Sequence, residues 1–510
     1  MAEATDIADT ISGSASGADA PGSSGLPLAG AGGMMRSRAV LAVAVPFIVS
    51  SVMFSLKLTL DRLLLSWHSH VSMSASLAAG MTAYMAAGVF VGIAGYTSVL
   101  VAQLDGEGMR EKIGPCVWQS VVFSVAAGLG LLVLGLAASP LFAMAGHPPR
   151  MAAEEAASFR ILSGGSALSL VATSLACFWT GRKRTWTAVM VNLLAFAPSA
   201  AVTWALVFGA GGHAPDAGAP VPLAAAAGSL NALGAALGAP AMGAAGAAWG
   251  TVAGDLVKVL MFGALFLSRG NRERYGTFPG RILEPRAAAG LMRGGFGNGV
   301  HLFLTVGSLA AFNMAAGLQG GAAGASAVAF SFGSAALVPV IGLGSALALL
   351  VGHGMGAGSP ERAVGALRCS GRLAFMYLAA VAAVCLAFPD GIVSLFSSSP
   401  ASPELRGEAG RLLMLSAAFV LCDGISVVFC GAARGAGDTP WVMKMTGCVA
   451  ASQIVLAIAA ALAGGGAAAL WGVLVLGSFF KALLGYFRLS GGAWLGNATA
   501  GRLFAEVPLP

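Results

Sequence analysis

Twelve apolar stretches follow one another along this chain, and most of them exceed 18 residues. A helix of about 20 apolar residues is long enough to cross the roughly 30 Å hydrocarbon core of a bilayer. Hydrophobic residues form 57% of the 510-residue sequence and charged residues only 10%, a balance typical of polytopic membrane proteins. We therefore predict an all-α integral membrane protein with twelve transmembrane helices. The predicted spans are 39–66, 74–102, 116–144, 158–181, 187–209, 243–268, 296–319, 325–352, 371–397, 409–433, 439–463 and 467–489.

The positive charges indicate how these helices are oriented. If the N-terminus is cytoplasmic, all but seven of the 28 lysines and arginines fall in cytoplasmic loops, tails and helix ends. Positive residues concentrate on the cytoplasmic side of membrane proteins. The asymmetry predicts a multi-pass membrane protein with both termini in the cytoplasm. It also accounts for the net charge of +7 without nucleic-acid binding.

The sequence repeats itself in two halves. Three short strings recur in the same order: Val101-Ala-Gln-Leu-Asp-Gly-Glu-Gly108 and Val351-Gly-His-Gly-Met-Gly-Ala-Gly358, then Thr185 and Thr439, each followed by a Val-Met pair, then Ala247-Ala-Trp-Gly250 and Ala469-Leu-Trp-Gly472. Six-helix repeats are typical of secondary transporters, whose substrate site lies between the repeats.

These repeats divide the chain into predicted segments. They are a disordered cytoplasmic tail (1–35), an N-terminal six-helix lobe (36–268), a cytoplasmic linker (269–293), a C-terminal six-helix lobe (294–490) and a cytoplasmic tail (491–510). The Gly-, Ala- and Pro-rich segment 210–242 has no counterpart in the second half, and we interpret it as an extra outer loop.

Three strings carry a resemblance to a known family. Pro46 is followed by Asp61 and then Leu77-Ala-Ala, and the second string runs from Val351 to Ala363. The most specific string joins Cys422-Asp-Gly to Gly431-Ala-Ala-Arg-Gly-Ala-Gly-Asp-Thr439. Together they resemble the first two helices, the loop after the eighth helix, and the tenth helix of the multidrug and toxic compound extrusion (MATE) family of the MOP flippase superfamily. The resemblance covers roughly 36–490.

The resemblance implies a two-lobed exporter of organic cations or amphipathic drugs in the bacterial cytoplasmic (inner) membrane. It would be driven by inward H⁺ or Na⁺ and require no other cofactor. It also shows where this chain differs from the family. Many members carry Asn and Asp in the fifth helix, where this chain has Ser199 and Thr203. The sodium-coupled bacterial branch has Glu in the seventh helix, where this chain has Thr305. Two carboxylates that often accompany Asp61 and Asp423 are thus replaced, which leaves the coupling ion and its stoichiometry open.

Asp423 is the first candidate for holding the coupling cation or proton. A carboxylate at the bilayer centre costs about 2.5–3.5 kcal/mol on insertion scales, so a role in an ion pathway is the default hypothesis. If span ten enters the membrane near Arg411, Asp423 lies about 18 Å along the helix, close to the midplane. The alternative is a neutral acid that is hydrogen-bonded to a neighbouring helix.

Asp61 and Asp255 are the other two candidates for the coupling site. Lys57 lies one turn before Asp61, so this acid is either a transport carboxylate or half of an interfacial ion pair. Lys258 lies three residues after Asp255, and here we favour a structural pair.

Further residues are candidates for lining a substrate cavity or for bending helices. The cavity candidates are Lys57, Tyr84, Ser199, Thr203, His301 and Thr305. His301 has a side chain that titrates near neutrality, although a lone histidine, like an aromatic residue such as Tyr84, is more often a packing residue. Three prolines lie inside spans and are expected to bend them, which a moving lobe can use. They are Pro46, Pro198 and Pro339.

Two other function classes compete with cation-coupled export. A lipid-linked oligosaccharide or polysaccharide flippase, an activity of other branches of the superfamily, should line its cavity with several cations to hold a pyrophosphate lipid. The intramembrane cations we identify are only Lys57, Arg62 and Lys258, and two of them have acids nearby. A membrane enzyme is disfavoured because we find no metal cluster, no Ser/His/Asp set and no phosphate-binding loop. We therefore expect a monomeric transporter of a small-molecule organic cation or amphipathic substrate, embedded in the lipid bilayer, and no enzymatic activity.

Overall fold

The computed structural model describes residues 37–144, 147–212, 221–238, 240–278, 285–317, 323–389, 391–392 and 403–496. Within these ranges, twelve helices are long and apolar enough to cross a membrane, and no residue is in a β-strand. The predicted all-α class with twelve spans is therefore confirmed. The predicted tail 1–35 and residues 497–510 lie outside the described residues. The twelve helices are α1 (Ser37–His68), α2 (His70–Gly106), α3 (Ile113–Leu136), α4 (Pro149–Gly181), α5 (Thr185–Phe208), α6 (Ala244–Phe266), α7 (Pro285–Gly317), α8 (Ala323–Gly356), α9 (Pro360–Ala387), α10 (Pro403–Gly435), α11 (Thr439–Leu462) and α12 (Ala467–Ser490).

The two halves of the chain pack in the same way. In the first half α4 lies against α2, α3 and α6, and in the second half α10 lies against α8, α9 and α12. In the first half α1 packs on α5 and α5 packs on α6. In the second half α7 packs on α11 and α11 packs on α12 in the same way. The halves meet through α1 with α8, α2 with α7, and α2 with α8. The repeat read from the sequence thus corresponds to two six-helix lobes with matching internal contacts.

Several helix bounds differ from the sequence-based expectation, and the ninth span and the segment 210–242 are two examples. The ninth span was expected at 371–397, but α9 runs from Pro360 to Ala387. Proline is favoured at the first position of a helix, and the charges of Glu361, Arg362 and Arg368 in the first turns hide this end from a hydropathy pattern. The segment 210–242, expected as a loop, contains the helix Val221–Leu237. Its alanines and leucines have the highest helix propensities.

The predicted linker 269–293 is partly helical and attached to the first lobe. Its last residues begin α7 at Pro285, and its first residues form the short helix Arg269–Tyr275. Tyr275 is buried against Phe178 of α4. The Arg182 guanidinium lies over both rings, 3.7 Å from the Phe178 ring centre and 4.2 Å from that of Tyr275. Burial lowers the pKa of Arg182 to about 10, so it remains charged at neutral pH. The domain limits themselves stay a prediction.

One end of the bundle, here called the basic end, is the end at which α2, α4, α6, α8, α10 and α12 finish. From this end to about half the depth of the bundle, the lobes touch closely: a Cβ atom placed on Gly92 of α2 would collide with the Cα of Gly299 of α7. Farther from the basic end, a Cβ atom on Gly80 of α2 or on Gly307 of α7 would meet no heavy atom within 4 Å. The closest contacts between α2 and α7 therefore lie in the half of the bundle nearest the basic end.

Candidate functional site

In the first lobe, Asp61 has partners on two helices. It lies on α1 and is buried, with 9% of its surface exposed. Lys57, one turn earlier on α1, donates a hydrogen bond to Oδ2 of Asp61. Thr203 of α5 donates to the other oxygen, Oδ1, at 3.4 Å. Both carboxylate oxygens are thus occupied, and the Lys57–Asp61 pair that the sequence left as an alternative is present.

Ser199 and Thr203 also join α5 to α6. Ser199 Oγ donates to the carbonyl oxygen of Gly250 at 2.8 Å. A Cβ atom on Gly250 would collide with Thr203 Oγ1, and one on Gly254 would come within 2.8 Å of the Ser199 Cβ. Small residues one turn apart on both helices allow this close approach. Both side chains are buried at a helix contact, so a cavity role for Ser199 would require the two helices to separate.

In the second lobe, Asp423 of α10 is paired with a lysine of α12. Lys481 Nζ donates to Oδ1 of Asp423, and Ser478 Oγ donates to the same oxygen at 3.0 Å. The Asp423 and Lys481 side chains are 12% and 14% exposed. Asp423 is therefore buried beside a positive charge from a neighbouring helix, and it is not an isolated acid.

Sequence reasoning missed Lys481, because it was assigned to a helix end. The residue lies nine positions before Ser490, the last residue of α12. At 1.5 Å per residue, this places it about 14 Å from the basic end. Its depth inside the predicted span 467–489 was the signal that could have identified it as a fourth intramembrane cation.

The third pair lies on a single helix, as expected. Lys258 Nζ donates to Oδ1 of Asp255 at 3.0 Å, and both residues belong to α6. The lysine side chain is 32% exposed and that of the aspartate 11%. The three predicted carboxylates thus share one feature, which is a lysine at bonding distance that neutralises their formal charge.

The remaining candidates lie near the contact between the lobes. His301 of α7 bonds through Nδ1 to Thr446 Oγ1 of α11 at 2.8 Å, and Thr305 Oγ1 donates to the His301 carbonyl at 2.8 Å. The bond to Thr446 joins α7 to α11 and is compatible with the packing role considered for His301, while a cavity role stays a prediction. Tyr84 of α2 is 43% exposed, which is compatible with lining a space between the lobes. Pro46, Pro198 and Pro339 lie inside α1, α5 and α8, and the bending expected of them stays a prediction.

A protein-family model matches the sequence of this chain. The MatE model matches residues 46–204 and 299–459, which together make up more than half of the chain and include α10 with Asp423. The chain belongs to the MatE family.

Several curated relatives of this MATE chain are multidrug resistance proteins. It is 25% identical over 356 residues to the multidrug resistance protein PmpM of Pseudomonas aeruginosa, covering 69% of this chain and 68% of that protein. It is 26% identical over 365 residues to the multidrug resistance protein NorM of Burkholderia vietnamiensis, covering 69% and 71% of the two chains. The probable multidrug resistance protein NorM of Rhizobium meliloti matches over 478 residues at 26% identity, covering 89% and 93%.

Solved structures of MATE transporters confirm the two-lobed fold. An outward-facing multidrug resistance MATE transporter of the MOP superfamily superposes with a TM-score of 0.75 at 18% identity, covering 90% of this chain and 96% of the other. The eukaryotic MATE transporter AtDTX14 gives a TM-score of 0.75 at 18% identity, with 92% and 98% covered. A MOP superfamily transporter from Pyrococcus furiosus gives 0.75 at 17%, with 90% and 96% covered. This MATE chain is therefore a multi-pass integral membrane transporter with twelve helices in two six-helix lobes.

Proposed function

We propose that the protein exports organic cations or amphipathic drugs in exchange for inward H⁺ or Na⁺, and that Asp423 holds the coupling cation. The observation that carries this proposal is a buried carboxylate in the second lobe whose counter-ion is the movable side chain of Lys481. Intramembrane ionisable residues mark ion and substrate pathways. The multidrug resistance names of the relatives support the substrate class.

The pairing explains why ion and substrate would bind in turn. With Asp423 ionised, the Asp423–Lys481 pair has no net charge. When H⁺ or Na⁺ occupies the carboxylate, the Lys481 ammonium is no longer compensated, and the site carries a net charge of +1. Two unit charges about 6 Å apart at an effective dielectric constant of about 20 repel by about 3 kcal/mol, which weakens binding of a cationic substrate about a hundredfold. Loading the coupling ion would thus expel the substrate, as antiport requires.

Asp61 and Asp255 are the other coupling candidates under this proposal. The Lys57–Asp61 pair has the same net charge as the Asp423–Lys481 pair and the additional bond from Thr203. The Asp255–Lys258 pair is more exposed on its lysine side and joins no second helix through the bond it makes. We rank Asp423 first because its lysine comes from a different helix, so relative movement of α10 and α12 could break the pair.

The positive charges support one orientation of the molecule in the membrane. We propose that the basic end is cytoplasmic, with both termini on that side, because positive residues concentrate there. The close contacts between the lobes at this end are compatible with a form that is closed to the cytoplasm. The membrane would be the bacterial inner membrane, and an inward cation would supply about 2.3 kcal/mol per charge per 100 mV.

The experiment that tests this proposal is ethidium transport by the purified protein in liposomes, with the pH gradient and the Na⁺ gradient imposed separately. Transport against the ethidium gradient, driven by one of the two ion gradients, is expected. If neither gradient drives transport of ethidium, while a fluorescent lipid-linked oligosaccharide is moved across the bilayer, the protein is a flippase. The three lysine–carboxylate pairs argue against that alternative, because their ammonium groups are already neutralised.

A further inference from the structure

The two halves place matching residues at the basic end of the lobes. Aligning Val101 with Val351 shifts the numbering by 250 and pairs Gln103 of α2 with His353 of α8. Aligning Thr185 with Thr439 shifts it by 254 and pairs Gly181, the last residue of α4, with Gly435, the last residue of α10. Gln103 and His353 are therefore equivalent residues of the two lobes, and so are Gly181 and Gly435.

In the structure, each of these side chains bonds to the equivalent glycine of the other lobe. Gln103 Nε2 donates to the carbonyl oxygen of Gly435 at 3.0 Å. His353 Nε2 lies 2.8 Å from the carbonyl oxygen of Gly181, and it is the donor because the carbonyl can only accept. Gln103 is fully buried and His353 is 7% exposed. The two hydrogen bonds are thus reciprocal and buried, and each joins one lobe to the other.

The two acceptor carbonyls, those of Gly181 and Gly435, lie at the ends of helices. The last carbonyls of a helix have no partner within the helix and carry its partial negative charge. The side chain of Gln103 or His353 supplies the missing donor from the opposite lobe. The other ring nitrogen of His353, Nδ1, lies 3.6 Å from Oδ2 of Asp105, which is beyond the length of a hydrogen bond.

Two equivalent glycines let α2 and α8 approach each other at the same place. A Cβ atom on Gly356 of α8 would collide with the Gln103 carbonyl oxygen, and one on Gly106 of α2 would lie 2.5 Å from the His353 carbonyl oxygen. Gly106 and Gly356 are again 250 residues apart. Each helix therefore places its glycine against the backbone of the bonding residue on the other.

We propose that the bonds Gln103–Gly435 and His353–Gly181 form a reciprocal clasp that holds the two lobes together at the basic end, and that both bonds break together when this end opens. Gln103 and His353 are thus positioning residues for the conformation with the basic end closed. The inference rests on the two-lobe transporter fold alone. It does not depend on the proposed substrate or coupling ion, because its test is made without either.

The test measures the distance between the lobes by pulsed electron paramagnetic resonance in nanodiscs. Spin labels are attached at Glu111→Cys and Glu361→Cys, two exposed positions near the basic end of the two lobes, after the seven native cysteines have been replaced. Gln103→Met and His353→Leu each remove one donor. Each is expected to raise the ratio of open to closed molecules roughly two- to tenfold, the effect of one net hydrogen bond, and the double variant by the product of the two.

The matched control is His353→Gln, which places the first lobe's donor at the equivalent position of the second lobe. It is expected to keep the distance distribution of the parent. An unchanged distribution in the double variant would overturn the clasp. So would opening in His353→Gln as large as in His353→Leu, since only loss of the donor should open the lobes.

A second measurement needs no substitution and covers the case in which a variant fails to fold. Backbone turns follow both acceptor glycines: Lys183 N–H bonds to the Thr180 carbonyl, and Gly437 N–H to the Arg434 carbonyl. If both bonds of the clasp break in one step, hydrogen exchange in the wild type should show the same opening equilibrium for 182–184 and 436–438, within about threefold. Protection that differs by more than about tenfold between these turns would show that the two bonds open independently, and the proposal would be wrong.

Discussion

Removing either partner of the Asp423–Lys481 pair should destabilise the protein, whereas removing both should restore most of the loss. The side chains are only 12% and 14% exposed, so either charge alone would remain in a largely dry interior. Breaking a buried ion pair by removing one partner costs about 3–5 kcal/mol, while replacing both partners by uncharged residues is often nearly neutral. We expect Asp423→Asn and Lys481→Met each to lower the free energy of unfolding by about 3 kcal/mol, since some water reaches both groups. The double variant should lose about 1 kcal/mol, because Ser478 can still donate to the side-chain amide oxygen introduced by Asp423→Asn.

The assay is reversible unfolding by sodium dodecyl sulfate in bicelles, followed by tryptophan fluorescence. The matched control is the pair on α6, where Lys258 is 32% exposed. Because Lys258 is less enclosed by the protein than Lys481, Asp255→Asn and Lys258→Met should each cost less than Asp423→Asn and Lys481→Met. Losses that simply add in the Asp423→Asn/Lys481→Met variant would refute the reasoning, since they would show that the two charges do not stabilise each other.

Three further predictions concern other parts of the molecule. Thr203→Val keeps the shape of the side chain and removes the long bond to Asp61. The free energy of unfolding, measured in the same titration, should therefore fall by less than about 1 kcal/mol. A loss above about 3 kcal/mol would mean that this bond holds α1 on α5. Gly356→Ala should open the basic end in the distance measurement, because its Cβ atom would collide with the Gln103 carbonyl. The control Gly371→Ala should not open it, since a Cβ atom there would meet no heavy atom within 4 Å. Equal effects of the two variants would contradict the close-contact argument. In a cysteine-free background, Glu273→Cys should react with a membrane-impermeant maleimide in inside-out vesicles and not in whole cells, and the reverse would invert the proposed topology.

The twelve spans and two of the three intramembrane lysine–aspartate pairs discussed above could be predicted because they depend on local sequence. Long apolar stretches specify helices in a bilayer, and Lys57 with Asp61 or Asp255 with Lys258 can meet because they lie on one helix face. The partner of Asp423 could not be predicted in this way. Lys481 lies 58 residues later on another helix, and only the packing of α10 on α12 brings the two together.

The hydrogen bonds between the lobes could not be predicted from the sequence either. The sequence repeat already equates residues 101–108 with 351–358, and so Gln103 with His353. It does not reveal that each side chain bonds to the opposite lobe, because both lobes could have satisfied these donors internally. The start of α9 was missed for a local reason, since Glu361 and Arg362 lower the hydropathy of a helix end that lies outside the apolar core of the membrane.

The most direct test of coupling through Asp423 is ion-driven ethidium transport in proteoliposomes by the wild type, Asp423→Asn and Asp423→Asn/Lys481→Met. The double variant controls for stability, because it should fold nearly as well as the wild type while lacking the carboxylate. We predict gradient-driven transport by the wild type alone, with both variants reduced to the rate of empty liposomes. Transport by the double variant at the wild-type rate and with the same ion dependence would contradict the account and transfer the coupling role to Asp61 or Asp255.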